Sequence, residues 1–240
     1  MKPILRWLLL LVCAFALLQL FFLARIAAMA FVAPQSSAFE RSEAWRILQD
    51  RDRLRWRQQW VDYSQISDHL KRAVIVSEDD GFSVHDGVDW DALEKAWQKN
   101  AKAQAQAEKK TGPRARLPKV IGGSTITQQL AKNLFLSGER TLLRKGQELV
   151  LTYGLELLLS KQRILEIYLN HVEWGEGVFG AEAAAWHYFR KPASRLTPME
   201  AARLAVMLPR PKYFEKLPNS SYLAERSAVI ASRLVGADLP

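Results

Sequence analysis

The sequence has very little cysteine or histidine: its 240 residues include one cysteine, Cys13, and four histidines. A single cysteine cannot form an intramolecular disulfide, and it excludes a zinc site built on several thiolates. Internal repeats of a fixed period are absent, and the alternation of apolar and polar residues that is typical of strands is scarce. The sequence therefore argues against a disulfide scaffold, a repeat protein and a mainly β domain.

The composition is sufficient for one substantial core. Hydrophobic residues make up 49% of the chain, which allows one domain and a short appendage but not two ordinary domains. The formal net charge is +9, so the surface should attract anions. Nucleic acid, anionic lipid headgroups and a phosphorylated substrate all fit this charge, and the charge alone does not choose among them.

One long apolar run lies near the N-terminus. In residues 7–32 the strongly polar side chains are Gln19 and Arg25. The run is long enough to cross the roughly 30 Å hydrocarbon layer as a helix. It predicts a transmembrane anchor over residues 7–32.

The charges around this run predict its orientation. Lys2 and Arg6 precede it, which favours a cytoplasmic N-terminus over residues 1–6 and a folded part outside. The alternative is a cleaved signal peptide, since Ala28-Met29-Ala30 resembles a processing site. Either interpretation exports the rest of the chain, which we divide into a juxtamembrane segment, 33–64, and a domain, 65–240.

The periodicity of that domain is mainly helical. Ile66, Leu70, Ala73 and Val74 fall at i, i+4, i+7 and i+8, as one buried helix face requires. Residues 197–200, Thr-Pro-Met-Glu, form a capping box with proline in the first turn, and they predict a helix toward Leu208. Residues 101–119 predict a fraying helix followed by an exposed, mobile connector.

An acidic cluster follows the predicted helix that contains Val74. Glu78, Asp79 and Asp80 lie near the negative end of the helix dipole and repel one another, so at least one carboxyl should have a raised pKa. Such a group can act as a general base near neutral pH. The alternative is a solvated acidic turn in which Asp89 or Asp91 caps the next helix.

A glycine-rich block occupies residues 122–133. Paired glycines lead into a helix that Thr125 can cap with Gln128 as its reciprocal partner. A helix N-terminus of this kind exposes backbone N–H groups to a phosphate or pyrophosphate. Further donors and charge can come from Ser124, Lys132 and Arg140. An ordinary capped helix explains the same residues, and the spacing does not match a P-loop.

A basic pair precedes an otherwise apolar helix. Glu148 should be partly buried, and Arg144 lies four residues before it. The basic-before-acidic order is the weaker orientation of such a pair and contributes only a few tenths of a kcal/mol. A functional role for Glu148 is at least as plausible as a structural one. Further on, the glycines and aromatics of residues 174–180 predict a packed turn.

Four blocks occur in order along the chain. They read Glu78-Asp79-x-x-Phe82-x-x-His85-x-Gly87-x-Asp89, then residues 122–133, then Arg144-Lys145-x-x-Glu148, then Lys161-x-x-Ile164-Leu165-Glu166-x-Tyr168-Leu169-Asn170. Over residues 77–211 the chain resembles the glycosyltransferase (transglycosylase) domain shared by monofunctional biosynthetic peptidoglycan polymerases and bifunctional penicillin-binding proteins. It departs from that pattern at Thr152, where the family often has alanine, and in the composition of residues 101–119.

The resemblance implies a lysozyme-like, mainly helical fold and a reaction that polymerises lipid II into glycan strands. Glu78 is then the general base that activates the acceptor 4-hydroxyl, and polyprenyl pyrophosphate leaves from the opposite face, which gives a β-1,4 bond with inversion. Glu148 is the second catalytic carboxylate. The implied substrate-binding residues are Asp79, Phe82, Ser124, Thr125, Gln128, Gln129, Lys132, Asn133, Arg140 and Lys145.

The resemblance also implies the cofactors, partners and location. Any metal would be an oxygen-ligated Mg²⁺ or Mn²⁺, shared between the pyrophosphate and Glu78 or Glu148. No organic cofactor is expected. The expected partners are lipid II, the growing glycan strand, the membrane and other cell-wall synthesis or division proteins, and not nucleic acid. The chain should be a single-pass protein of the inner membrane with a periplasmic catalytic domain.

Two other functions compete with this interpretation. A lytic muramidase of lysozyme-like fold would also rely on a glutamate, and a non-catalytic, membrane-tethered assembly protein would use the blocks as scaffold only. Residues 110–112, Lys-Thr-Gly, resemble a penicillin-binding motif, but Ser-x-x-Lys does not occur in the sequence. We therefore expect no transpeptidase activity.

Overall fold

The chain is mainly α-helical, as predicted. The computed structural model describes residues 3–51, 53–108, 122–139 and 141–240. The helices are α1 Pro3–Ala28, α2 Ala38–Arg51, α3 Asp68–Glu78, α4 Trp90–Glu108, α5 Ile126–Phe135, α6 Leu142–Leu158, α7 Lys161–His171, α8 Ala181–Phe189, α9 Pro198–Met207, α10 Pro211–Lys216 and α11 Ser221–Arg233. The strands are β1 Arg57–Gln58, β2 Glu173–Gly175 and β3 Val178–Phe179, in the order β1-β3-β2. Strand β1 runs parallel to β3, and β2 runs antiparallel to it.

The core forms where α3 packs against α9 and α11, and where α5 packs against α6 and α7. The predicted apolar face of α3 is confirmed for Leu70, Ala73 and Val74, which are fully buried, whereas Ile66 is buried but precedes the helix. Ser67 starts this helix by accepting a hydrogen bond from the His69 backbone N–H at 3.2 Å. The α3 helix ends at Glu78, so the last turn of a buried helix delivers this carboxyl to the interior.

The predicted helix starts are also confirmed. The Thr125 hydroxyl accepts from the Gln128 N–H, and the Gln128 side chain accepts from the Thr125 N–H, so α5 begins with a capping box. Thr197 and Glu200 form the same box before α9, with Pro198 in the first turn. The predicted connector 101–119 begins inside α4, which continues to Glu108, and residues 109–119 lie outside the described residues.

The second half of α1 packs onto the folded domain. The side-chain amides of Gln19 and Gln147 exchange hydrogen bonds of 2.9 and 3.2 Å. The glycine at 154 in α6 allows Leu23 and Ile26 to approach closely. The Arg163 guanidinium donates to the Met29 carbonyl at 2.8 Å. A cleaved signal peptide would lose these contacts, so they favour the anchor interpretation.

A tight hairpin joins β2 to β3, and it is the packed turn that the glycines predict. Gly177 has φ +73°, and a Cβ at this position would overlap the Arg55 carbonyl oxygen. Gly180 has φ +84°, and its Cβ would lie 2.8 Å from the Asn170 carbonyl oxygen. The hairpin and the segment before β1 can therefore pack together only because these positions lack side chains.

Replacing Gly177 with alanine should lower the free energy of unfolding by about 2 kcal/mol or more, since it combines a left-handed backbone with a backbone clash. The matched control is Gly146→Ala in α6, where the added methyl group meets no atom within 4 Å. There the same substitution should stabilise the helix by about 0.5–1 kcal/mol. Urea unfolding of both variants in detergent measures the two effects. Equal stability of the two variants would contradict this account of the hairpin.

Candidate active site

Two cavities meet at Ser124, the residue before the cap of α5. The first, of about 460 Å³, is lined by the cationic side chains of α5 and α6, and we call it the cationic cleft. The second, of about 310 Å³, lies between the end of α3 and α4, and we call it the Glu78 cavity. Polar residues along the cationic cleft are Ser42, Ser124, Gln128, Gln129, Lys132, Asn133, Ser137, Arg144, Lys145, Glu148 and Glu173. The structure thus brings together blocks of the sequence that are about 70 residues apart.

Glu78 lines the Glu78 cavity, and its side chain is partly buried there. The Gln129 amide donates to its Oε2 at 3.0 Å, and the Tyr168 hydroxyl donates to the Gln129 carbonyl oxygen at 3.0 Å. This chain of hydrogen bonds fixes the orientation of the carboxyl. Burial raises the pKa of Glu78, with a smaller contribution from Asp79, while Gln129 and Lys132 oppose the shift. A raised carboxyl pKa is confirmed, but its main cause is burial rather than the helix dipole and charge repulsion.

Two of the predicted site residues position other groups of the site, and a third lies in the core. Asp79 is buried, and its two oxygens lie 2.8 Å from His85 Nε2 and 2.9 Å from the Ile126 N–H that opens α5. Thr125 is buried too, and its hydroxyl donates to the Gly87 carbonyl at 2.6 Å. Phe82 is fully buried in the core and lines neither cavity. The contacts of Asp79 and Thr125 fix the position of the end of α3, which carries Glu78, relative to the N-terminus of α5.

The cationic cleft carries three basic side chains in its described part. Lys132 comes from α5, and Arg144 and Lys145 come from the first turn of α6. Glu148 is buried beneath them, where its Oε2 accepts from Arg144 at 3.0 Å and its Oε1 pairs with Lys145. The predicted Arg140 lies outside the described residues. Glu148 offsets only part of the charge of these three basic side chains, so positive charge remains facing the cleft.

Lys132 reaches the cleft solvent, but protein atoms surround much of its side chain. This partial burial lowers the pKa of Lys132, Glu148 opposes the shift, and the neighbouring Arg144 and Lys145 add to it. A cation that is poorly hydrated interacts strongly with an incoming anion. The cleft therefore has the electrostatics of a site for phosphate groups.

The sequence did not predict several residues of these cavities. Glu173 in β2 faces the cationic cleft, and its buried Oε1 forms an ion pair with Lys212 Nζ. Burial raises the pKa of Glu173 to about 7, although Lys212 lies 3.2 Å away and opposes the shift. Lys95 and Lys99 of α4 line the Glu78 cavity. Their spacing of one helical turn was a weak signal, because it is equally typical of a solvated face.

Comparison with known proteins agrees with this geometry. A model of a family described as "Transglycosylase" matches residues 46–235. A protein named "Biosynthetic peptidoglycan transglycosylase" from Burkholderia orbicola is 54% identical over 92% of this chain and 85% of its own length. Proteins of the same name from Burkholderia thailandensis and Paraburkholderia xenovorans are 54% and 53% identical over 92% of this chain, and over 82% and 87% of their own lengths.

The chain belongs to the transglycosylase family. It is thus a glycosyltransferase of peptidoglycan synthesis, and the resemblance found in the sequence blocks is confirmed. In the described part of this transglycosylase, α1 is the one helix that is long and apolar enough to cross a membrane. Its 26 residues span about 39 Å at 1.5 Å per residue. By length and composition, helix α1 is therefore the candidate for membrane attachment.

The carboxylates of the described residues do not form a metal-binding cluster of their own, and the metal shared with the pyrophosphate stays a prediction. The described residues contain no group of three or more histidine, cysteine, aspartate or glutamate side chains that could hold one. Both oxygens of Glu148 are already bonded to Arg144 and Lys145, and one oxygen of Glu78 is bonded to Gln129. Lys132, Arg144 and Lys145 place positive charge where the sequence predicted a metal shared with the pyrophosphate.

Proposed function

We propose that the transglycosylase polymerises lipid II with inversion, using Glu78 as the general base. The acceptor 4-hydroxyl gives its proton to Glu78 while its oxygen forms a bond to the anomeric carbon of the donor. The bond from that carbon to the pyrophosphate breaks, and undecaprenyl pyrophosphate leaves with the electron pair. Because attack and departure occur on opposite faces, an α-linked donor gives a β-1,4-linked strand.

The observation that carries this proposal is the position of Glu78 beside the cationic cleft. The carboxyl has a raised pKa, a fixed orientation and a free oxygen among the described contacts, as a general base requires. Ser124 lines both cavities, so an acceptor in the Glu78 cavity and a donor in the cationic cleft would meet there. A site that holds both reactants lowers the entropic part of the barrier.

The cations of the cleft would stabilise the pyrophosphate leaving group. Negative charge develops on the pyrophosphate as its bond to the sugar breaks, and preorganised Lys132, Arg144 and Lys145 would stabilise it. Glu148 holds Arg144 and Lys145 in place through its two hydrogen bonds, so its role is to position them. A lytic muramidase has no use for three cations at this point, and this favours synthesis over cleavage.

The membrane side of the domain fits a lipid-linked substrate. Helix α6 contacts α1 through Gln147 and Gly154. Beside that contact α6 exposes an apolar stripe, in which Leu143 is 88% exposed and Leu157 is 81% exposed. Such a stripe next to an anchor suits the bilayer interface. We place α1 in the inner membrane and the catalytic domain in the periplasm, on the basis of the N-terminal charges.

The direct test uses the purified full-length chain with labelled lipid-linked disaccharide in detergent. We expect polymer that lysozyme can digest. An inert substrate in the presence of folded protein would instead support the scaffold hypothesis. Shortening of preformed glycan under the same conditions would support the lytic hypothesis. Adding penicillin tests the absence of transpeptidase activity, since we expect it to leave the products unchanged.

The pH dependence of kcat/KM should be bell-shaped. Glu78 must be ionised to accept a proton, and its raised pKa places the acid limb above the ordinary value of 4.5. Lys132 must be protonated to bind phosphate, and its lowered pKa places the alkaline limb below 10.5. Initial rates of lipid-linked disaccharide consumption across this range measure both limbs. The alkaline limb should move to higher pH in Lys132→Arg, and an unmoved limb would contradict its assignment to Lys132.

A further inference from the structure

A further cavity of about 690 Å³ is lined by residues 53–57, outside the candidate active site. Arg53, Arg55 and Arg57 line it, and Glu176, His187 and Glu215 contribute the other titratable groups. We call it the arginine cavity. Neither the blocks of the sequence nor the mechanism assigns a role to it.

Three alternate residues of this segment, Arg53, Arg55 and Arg57, all line the arginine cavity, and we call them the arginine row. Trp56, which lies between two of the arginines, stacks on Phe179 with ring centroids 4.5 Å apart. The three guanidinium groups are exposed, and no acidic side chain of the described residues forms an ion pair with them.

The carboxylates of the cavity form their ion pairs and hydrogen bonds with other groups than this row. Glu215 accepts from the Glu176 N–H at 2.9 Å and lies 3.3 Å from His187 Nε2. Glu176 lies 3.3 Å from the guanidinium of Arg46. The cavity therefore presents three positive charges that have no partner within the described part of the fold.

The backbone beneath the row is fixed. The Arg57 N–H donates to the Gly177 carbonyl at 2.8 Å, and β1 pairs with β3 from Arg57 onward. The Arg55 carbonyl rests on Gly177, where a side chain could not fit. Because the backbone is already fixed, binding an anion costs less conformational entropy of the protein. The arginine row is therefore preorganised for anion binding.

Three elements connect the arginine cavity to the far end of the cationic cleft. Helix α2 lines the cleft with Ser42 and the arginine cavity with Ile47, five residues further on. Strand β2 lines the cleft with Glu173, and the turn after it lines the arginine cavity with Glu176. Helix α10 lines the cleft with Pro211 and the arginine cavity with Glu215. Four or five residues of helix rise about 6–8 Å. The two cavities are therefore neighbours, and a strand that leaves the cleft away from Glu78 would pass toward the arginine row.

We propose that the arginine cavity binds the peptide carboxylates of the glycan strand as it leaves the cationic cleft. This inference rests on the proposed polymerase function, because it requires that the donor strand occupies the cleft. A peptide attached to the strand ends in a carboxylate, and guanidinium groups bind carboxylates through paired hydrogen bonds. Retaining the strand after each addition would lengthen the polymer without changing the bond-forming step.

The test is the binding of disaccharide–peptide fragments, released from purified cell wall, to the full-length chain. The variant Arg53→Gln/Arg55→Gln/Arg57→Gln should bind them about tenfold or more weakly, since charged contacts are lost. The control Lys102→Gln/Arg195→Gln/Arg226→Gln removes three exposed charges outside the cavity and should bind as the parent does. Fragments with amidated carboxylates should bind the parent as weakly as free fragments bind the arginine variant.

Polymerisation assays separate this inference from the function on which it rests. The arginine variant should consume lipid-linked disaccharide at the parental initial rate but yield shorter strands. Equal fragment binding by the arginine variant and the control would overturn the inference even if both polymerise. Failure of the parent to polymerise would refute the proposed function, while the fragment titration would still decide whether the row binds peptide carboxylates. Equal binding of unrelated acidic peptides would overturn the glycan assignment in favour of an acidic protein partner.

Discussion

Replacing Glu78 with glutamine should reduce strand synthesis by about 10²–10⁴-fold, the range typical for loss of a general base. The substitution keeps the size of the side chain and an oxygen that can accept from Gln129, so the hydrogen bond at 3.0 Å can persist. What is lost is the capacity to take the proton of the acceptor hydroxyl. The rate of polymer formation from labelled lipid-linked disaccharide, at saturating substrate, measures this loss in kcat.

The free energy of unfolding at neutral pH should be higher in Glu78→Gln than in the parent, although the activity is lower. The pKa of Glu78 is raised in the folded chain, so the folded state binds more protons than the unfolded state above the unfolded pKa. Stability from this group is therefore present at acid pH and is lost as the pH rises through the folded pKa. The glutamine substitution removes that dependence, so the variant should be more stable than the parent at pH 7 and lose this advantage at acid pH.

The matched control for this experiment is Glu225→Gln, since Glu225 is exposed on α11 and lines neither cavity. It should retain parental activity and stability. Retention of parental synthesis by Glu78→Gln, with lipid II binding intact, would show that another group accepts the proton. A loss of activity that accompanies unfolding would instead mean that Glu78 is required for folding. Urea unfolding of the variant distinguishes these outcomes.

Replacing Lys132 with methionine should reduce kcat/KM by about 10²–10³-fold, as expected when a preorganised charge at a developing anion is removed. Methionine preserves much of the volume of the lysine stem, so the α5 helix should remain folded. Because the charge of Lys132 is partly desolvated, the folded chain should not become less stable at neutral pH. Competition by inorganic pyrophosphate against lipid II should weaken in parallel with the loss of rate.

Lys102→Met provides the control, because Lys102 is exposed on α4 and lies outside both cavities. Its activity and its inhibition by pyrophosphate should match those of the parent. Lys132→Arg should keep part of the activity, since the charge remains while the geometry changes. Parental kcat/KM in Lys132→Met would mean that Arg144 and Lys145 alone serve the leaving group, and would remove Lys132 from the mechanism.

The sequence predicted those parts of the fold that depend on local patterns. The apolar face of α3 follows from helical spacing, and the starts of α5 and α9 follow from their capping boxes. Glu78 could be recognised as a candidate base because its block is contiguous. Its burial, the main cause of its raised pKa, depends on residues from other elements and was not predicted.

The remaining features depend on contacts between distant parts of the chain. Gln19 meets Gln147 across 128 residues, and no local pattern in either segment predicts that pair. Glu173 faces the cleft only because two glycines allow its hairpin to fold tightly. Lys95 and Lys99 look like a solvated helix face until the end of α3 is placed beside them.

The packing of α1 on the catalytic domain has a geometrical consequence. A flexible tether would let the domain rotate, and the reactive carboxyl would sample many heights above the lipid. The contact between Gln19 and Gln147, together with the close approach of Leu23 at Gly154, removes that freedom. With α1 as the proposed membrane anchor, side chains of that helix would set the depth of the reaction centre relative to the bilayer, and a substitution in α1 should then alter the rate of synthesis.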